Sequence, residues 1–136
     1  LLHRHPGAVR VALRAIPCMF CVTDSTAAAG MPDGEYSLGR HTVTKCLGGV
    51  RLPDGTLAGS TLTMDQALRN LVLELGLEIA DASRRVSTHA ADYMGLEDRG
   101  RLAVGAWADF VVMDRRELQL QSVVVEGEEI VDIENA

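Results

Sequence analysis

The chain has 136 residues, 47% of them hydrophobic and 24% charged, and its 19 acidic against 13 basic residues give a net charge of −6. That is an ordinary profile for a soluble domain: no apolar run approaches the ~20 residues of a membrane span, and no basic stripe suggests a nucleic-acid partner. A single core fits in this length, whereas a complete (β/α)8 barrel needs roughly 250 residues.

The chain opens with Leu1-Leu2-His3-Arg4-His5-Pro6-Gly7. It carries no signal-peptide apolar stretch, so a cytoplasmic location is expected. Pro6 suits the first turn of a helix that runs through Val9, Val11, Ala12, Leu13 and Ala15 and stops at Pro17. His3 and His5 alternate as paired imidazole ligands on a strand would, but they lead straight into this helix, with no third ligand nearby.

Next come five apolar residues, Cys18-Met19-Phe20-Cys21-Val22, which end on Thr23-Asp24. With Pro17 before it and an Ala/Gly-rich stretch after it, this run reads as a strand buried on both faces, the kind found in parallel sheets. A helix followed by such a strand is half of a βα repeat, so an earlier strand is expected before residue 1. Asp24 would stand at the strand's C-terminal end, where α/β folds present catalytic groups; it would equally serve as a cap for the next turn. Cys18, Cys21 and Cys46 are odd in number. The CxxC pair points to opposite strand faces, so all three read as small buried hydrophobes.

A small-residue loop from Ser25 to Gly34 precedes three short strands, Glu35–Leu38, His41–Cys46 and Gly49–Leu52, separated by Gly39-Arg40 and Gly48-Gly49. His41 and Lys45 read as solvated strand residues. After the turn Pro53-Asp54-Gly55, the small residues of Leu57-Ala58-Gly59-Ser60 allow close backbone approach, suited to lining a ligand and equally to tight packing. Thr63 and Gln66 spell a capping box, and Met64, Ala67, Leu68, Leu71, Val72 and Leu75 form one apolar helical stripe ending at Gly76. A second helix is expected from about Ile79 to Val86, and a third, capped by Thr88, through Ala90, Ala91 and Tyr93 to Met94-Gly95; His89 in its first turn reads as surface or cap. Gln119–Val125 and Glu128–Ile133, joined by Glu126-Gly127, form a final hairpin.

Val22-Thr23-Asp24-Ser25-Thr26, Ala29-Gly30 and Leu57-Ala58-Gly59-Ser60-Thr61-Leu62-Thr63-Met64 closely resemble the N-acetylglucosamine-6-phosphate deacetylase family of the amidohydrolase superfamily. Gly100-Arg101-Leu102 followed by Gly105 and Ala108-Asp109 and the apolar Phe110–Met113 resembles a segment that many amidohydrolases share after the barrel. The resemblance covers nearly the whole chain but only the C-terminal third or so of a family member. It implies an α/β fold: the C-terminal end of a TIM-type barrel (1–30 and 60–95) plus strands of a small accessory β-sandwich domain (31–59 and 96–136).

The resemblance further implies hydrolysis of the N-acetyl group of a phosphorylated amino sugar beside a divalent metal such as zinc, in a complete enzyme expected to be a homodimer. Asp24 matches the family's general base and acid. His3 matches a substrate-contacting histidine, although Leu1 stands where the family's DGxH motif has glycine. Leu57, Ala58 and Gly59 are the other candidate substrate-binding residues. The family's metal ligands lie on earlier strands, so no residue here is assigned to metal and the chain alone is expected to be inactive. Asn-Pro-Ala of the family is His89-Ala90-Ala91 here. The alternatives are the end of a dihydroorotase-like enzyme or deaminase, which would keep 100–114 but not 57–64, and a non-catalytic, partner-dependent fragment.

Overall fold

The computed structural model describes residues 5–132, with side chains through Ile130. His3 therefore lies outside the described residues. Helix α1, Pro6–Ala15, starts as Pro6 suggests; His5 is its N-cap, its Nδ1 accepting the Gly7 N–H at 3.1 Å. That bond gives His5 a capping role.

The run after α1 departs from expectation. Residues 18–23 form no strand: Cys18 and Val22 are exposed, Val22 by 71%, and Met19, Phe20 and Cys21 are half-buried. A strand buried on both faces needs hydrogen-bonded neighbours on both edges. Among the described residues the run finds a single parallel bridge, Ser25 with Ser60, just past its end. The reading of all three cysteines as buried fails with it, for Cys18 and Cys46 are exposed and only Cys21 is half-buried.

Four antiparallel strands follow in sequential order: β1 Gly34–Leu38, β2 His41–Cys46, β3 Gly49–Arg51 and β4 Leu57–Ser60. The fourth takes in the small-residue stretch that the sequence reads as a site of close backbone approach, not as a strand. β2 and β3 are joined by Leu47-Gly48, both at positive φ (51° and 75°), a two-residue turn one position earlier than the Gly48-Gly49 read from sequence. Val43, Val50 and Ala28 form this sheet's core, with Tyr36, Leu38, Leu52 and Ala58 against them. Thr61 Oγ1 donates to the Gly48 carbonyl and ties the end of β4 to that turn.

Helix α2, Met64–Arg69, continues into a π-helical segment, Asn70–Glu74, where the Leu75 N–H reaches back five residues to the Asn70 carbonyl. Thr63 is the N-cap, yet no capping box forms: its side chain makes no cap bond, and Gln66 Nε2 instead donates to Asn70 Oδ1 at 2.9 Å. Gly76, at φ 75°, closes the helix as expected. The apolar stripe packs as its spacing predicts. Leu68, Leu71 and Leu75 meet Leu13 of α1 and Ala82 of α3, Ile79–Val86, in one core, with Val9, Met19, Cys21 and Met113 at its margin. Each of these leucines contributes about 1.5–3 kcal/mol by burial.

In helix α4, Thr88–Tyr93, Thr88 is the first helical residue rather than the cap, and its hydroxyl donates to the Gly100 carbonyl at 2.6 Å. A second antiparallel sheet closes the chain: β5 Phe110–Met113, β6 Leu120–Val125 and β7 Glu128–Asp132. Asp109 braces its last turn, Oδ1 accepting the Glu126 N–H at 2.8 Å and Oδ2 accepting from Arg99 Nη1 at 2.9 Å. The result is a mixed α/β arrangement with two small antiparallel sheets. No helix among the described residues is long and apolar enough to cross a membrane.

Candidate functional site

The site begins with a backbone anomaly. Asp24 sits at φ 52°, in the left-handed region that Asp and Asn tolerate better than most residues. Ser60 holds the chain on both sides of it: the Ser60 N–H donates to the Asp24 carbonyl at 2.9 Å, and the Thr26 N–H donates to the Ser60 carbonyl at 3.0 Å. Thr23 Oγ1 accepts the Ser25 N–H at 3.3 Å, and the Ser25 hydroxyl donates to the Leu62 carbonyl. The tip of the apolar run is thus pinned to the β4–α2 connection although the run itself has no strand partner among the described residues.

Gly59 explains how the two segments come so close. It is buried at φ 136°, and a Cβ there would lie 2.5 Å from Thr26 Cγ2. The space a side chain would take is used by the Asp24 turn.

Between these segments and the helices lies a cavity of about 720 Å³. Thr23, Asp24, Ser60, Thr61, Gln66 and Asn70 give it polar groups, and Val9, Cys21, Val22, Ala67, Leu71 and Leu75 give it apolar walls. Burial raises the Cys21 thiol above its ordinary value, partly offset by the Arg85 guanidinium. A largely apolar pocket with a few convergent polar groups is the usual form of a small-molecule site.

Of the sequence candidates, the structure brings Asp24 and Gly59 together. Leu57 and Ala58 do not line this cavity; Ala58 packs on the sheet core and Leu57 pairs with Arg51. β4 spends these two residues on the sheet, and only from its last residue, Ser60, through Leu62 does the chain turn to the cavity. Gln66 reads in the sequence only as half of a capping box and Asn70 carries no signal there, yet both line the cavity from the polar side of the helix. His41 is exposed at the start of β2, and His89 Nδ1 lies 3.5 Å from the Met19 carbonyl oxygen.

The family model described as the Amidohydrolase family matches residues 50–131. The chain belongs to the amidohydrolase family. Among its relatives, the N-acetylglucosamine-6-phosphate deacetylase of Lysinibacillus sphaericus is 38% identical over 90% of this chain and 32% of its own length. The N-acetylgalactosamine-6-phosphate deacetylase of Escherichia coli O157:H7 is 37% identical over 93% of this chain and 34% of its own. The crystal structure of N-acetylglucosamine-6-phosphate deacetylase from Thermotoga maritima superposes with a TM-score of 0.87 at 36% identity, over 96% of this chain and 36% of that one. The chain thus spans about a third of the length of each of these two curated relatives.

Proposed function

We propose that this chain supplies the proton-transfer carboxylate, Asp24, and one wall of the substrate site in a deacetylase that converts N-acetylglucosamine 6-phosphate to glucosamine 6-phosphate and acetate. The observation that carries the proposal is Asp24 on the cavity wall, in a left-handed turn gripped by Ser60, in an amidohydrolase whose relatives are named for that reaction.

The proton steps follow from carboxylate chemistry. Asp24 accepts a proton from water as the water oxygen bonds to the acetyl carbonyl carbon. The carboxyl then returns that proton to the amide nitrogen as the C–N bond breaks, leaving a free amine. Acetic acid loses its own proton to solvent. Thr23, whose Oγ1 already accepts the Ser25 N–H, keeps a hydroxyl proton to donate to a sugar oxygen. His3 is proposed as a further contact for the phosphorylated sugar, and Gly59 acts by making room for the Asp24 turn.

Amidohydrolases are generally metal-dependent. Among the described residues, no three His, Cys, Asp or Glu side chains come together as a metal site, so these residues do not fit a metal centre. We propose, on the family resemblance, that the cation's ligands lie on strands upstream of these residues.

The same proposal takes residues 1–30 and 60–95 as the end of a TIM-type barrel, with 31–59 and 96–136 in a small accessory domain, in a cytoplasmic homodimer. The core of Leu13, Leu68, Leu71, Leu75 and Ala82 and the core of Val43 and Val50 favour such a division, with Ala28 packing on the sheet and Met113 on the helices. The unpaired run at 18–23 suits a strand whose neighbours come from the rest of the enzyme. The galacto epimer is a second reading, favoured by the Escherichia coli relative's name. Acetate release by the full-length product of this reading frame, measured on both sugar 6-phosphates, tests both readings. Faster release from the gluco substrate supports the first, faster release from the galacto substrate the second, and release from neither overturns the deacetylase proposal.

A further inference from the structure

Arg85 is 6% exposed, an unusual place for a guanidinium, whose burial must be offset by excellent hydrogen bonding. Nε donates to Asp81 Oδ2 at 3.1 Å, one turn back on α3. The other two nitrogens turn away from the helix: Nη1 donates to the Met19 carbonyl at 3.2 Å and Nη2 to the Leu13 carbonyl at 3.5 Å. The backbone joins in, the Arg85 carbonyl accepting the Cys21 N–H at 2.8 Å. One residue therefore holds the end of α1 and two points of the run that leads to Asp24.

The residues at steps of four beyond it touch the same run. His89 Nδ1 lies 3.5 Å from the Met19 carbonyl oxygen that Arg85 also engages, and the Tyr93 ring stands 5.4 Å from that of Phe20. Among the described residues, 18–23 pair with no strand, so within this chain the contacts to Arg85, His89 and Tyr93 are what hold the run, beside any strand partners the rest of the enzyme supplies. Ser60 fixes the chain from Asp24 onward, and the stripe 85/89/93 fixes it before Asp24.

We infer that Arg85, His89 and Tyr93 are positioning residues for Asp24, with Arg85 the principal one, acting through the backbone of Met19–Cys21. The inference rests on the reading of Asp24 as the proton-transfer group. A buried bidentate guanidinium suits this task, because its planar fork sets two carbonyls at once where an ammonium would hold one.

The test uses the full-length product of the reading frame, with amide hydrogen exchange and steady-state deacetylation measured on the same preparations. Arg85→Lys keeps the charge and removes the fork. Exchange should rise at least tenfold at residues 19–25 while the β1–β4 amides keep their rates, a local effect that general destabilisation would not produce. kcat should fall about 10- to 100-fold with KM within twofold, as expected when a reacting group is misplaced. Tyr93→Ala changes a side chain that is 78% exposed and supplies the test if Arg85→Lys does not fold; there exchange should rise at residues 19–21 and kcat fall about threefold or more. Asp24→Asn is run in parallel. If Asp24→Asn abolishes turnover but the stripe variants leave local exchange or kcat unchanged, the positioning role is overturned and the Asp24 reading stands. If Asp24→Asn retains turnover, the Asp24 reading falls, and the positioning role falls with it.

Discussion

Gly59→Ala is the most severe small change the structure offers near the site. The new Cβ would stand 2.5 Å from Thr26 Cγ2 and 3.5 Å from the Asp24 carbonyl oxygen, at a φ of 136° that L side chains rarely adopt. Backbone strain costs on the order of 1–3 kcal/mol and overpacking about as much again. Rotating Thr26 away to relieve the clash would sacrifice the Oγ1 bonds to the Ser60 carbonyl and from the Ala28 N–H, at 3.3 and 3.4 Å, worth roughly 1 kcal/mol each. A loss of about 3–5 kcal/mol follows, a large part of the roughly 5–15 kcal/mol that holds a domain together. Urea unfolding followed by circular dichroism reads this directly. The double variant Gly59→Ala/Thr26→Ser removes the clashing methyl but keeps the hydroxyl, and should recover about 1–2 kcal/mol, leaving the strain. A Gly59→Ala loss below about 1 kcal/mol, or no recovery in the double variant, would refute the close approach of these two segments.

Other expectations follow from single contacts. Gly100→Ala should destabilise by about 3 kcal/mol or more, because its Cβ would meet Ala91 Cβ at 2.7 Å and backbone atoms of Ser87 and Thr88 at 3.2 Å, none able to swing aside; a melting temperature within about 3 °C of the parent would contradict this. Asp114 accepts the N–H groups of Glu117, Gln119 and Arg116, which hold its carboxyl below the ordinary carboxylate range. A lowered pKa means stability present at neutral pH and lost as pH falls through the folded value, so Asp114→Asn should melt lower than the parent at pH 7 and the gap should close as the pH is taken below the ordinary carboxylate range; a constant gap between the two curves would contradict that. At pH 8, exposed Cys18 should be alkylated by iodoacetamide at least tenfold faster than Cys21, whose thiol is half-buried and raised by burial; equal rates by peptide mass mapping would contradict the packing of the run.

Several readings that rest on neighbouring residues hold. Pro6, the stripe from Met64 to Leu75 with Gly76 at its end, and the Glu126-Gly127 turn are all decided within a few residues, and each element lies where its pattern placed it. The run at 18–23 failed because a strand buried on both faces is a property of its neighbours, which composition cannot supply. The Thr63/Gln66 capping box failed for a similar reason: Gln66 had a second partner, Asn70, one turn along, and took it. Asp24 drew notice as a carboxylate ending an apolar run, but the left-handed turn and the grip of Ser60 depend on two segments 34 residues apart meeting over a glycine. The buried Arg85 gave no signal, since an arginine in α3 looks the same in sequence whether it faces solvent or the core.

The central claim is that Asp24 moves the proton. Asn tolerates the left-handed backbone at φ 52° as Asp does, so Asp24→Asn leaves the turn intact and removes only the basic oxygen. Acetate release from saturating N-acetylglucosamine 6-phosphate by the full-length product measures the consequence. kcat should lie about 100-fold or more below the parent, with an unchanged melting temperature. Turnover within threefold of the parent would contradict it.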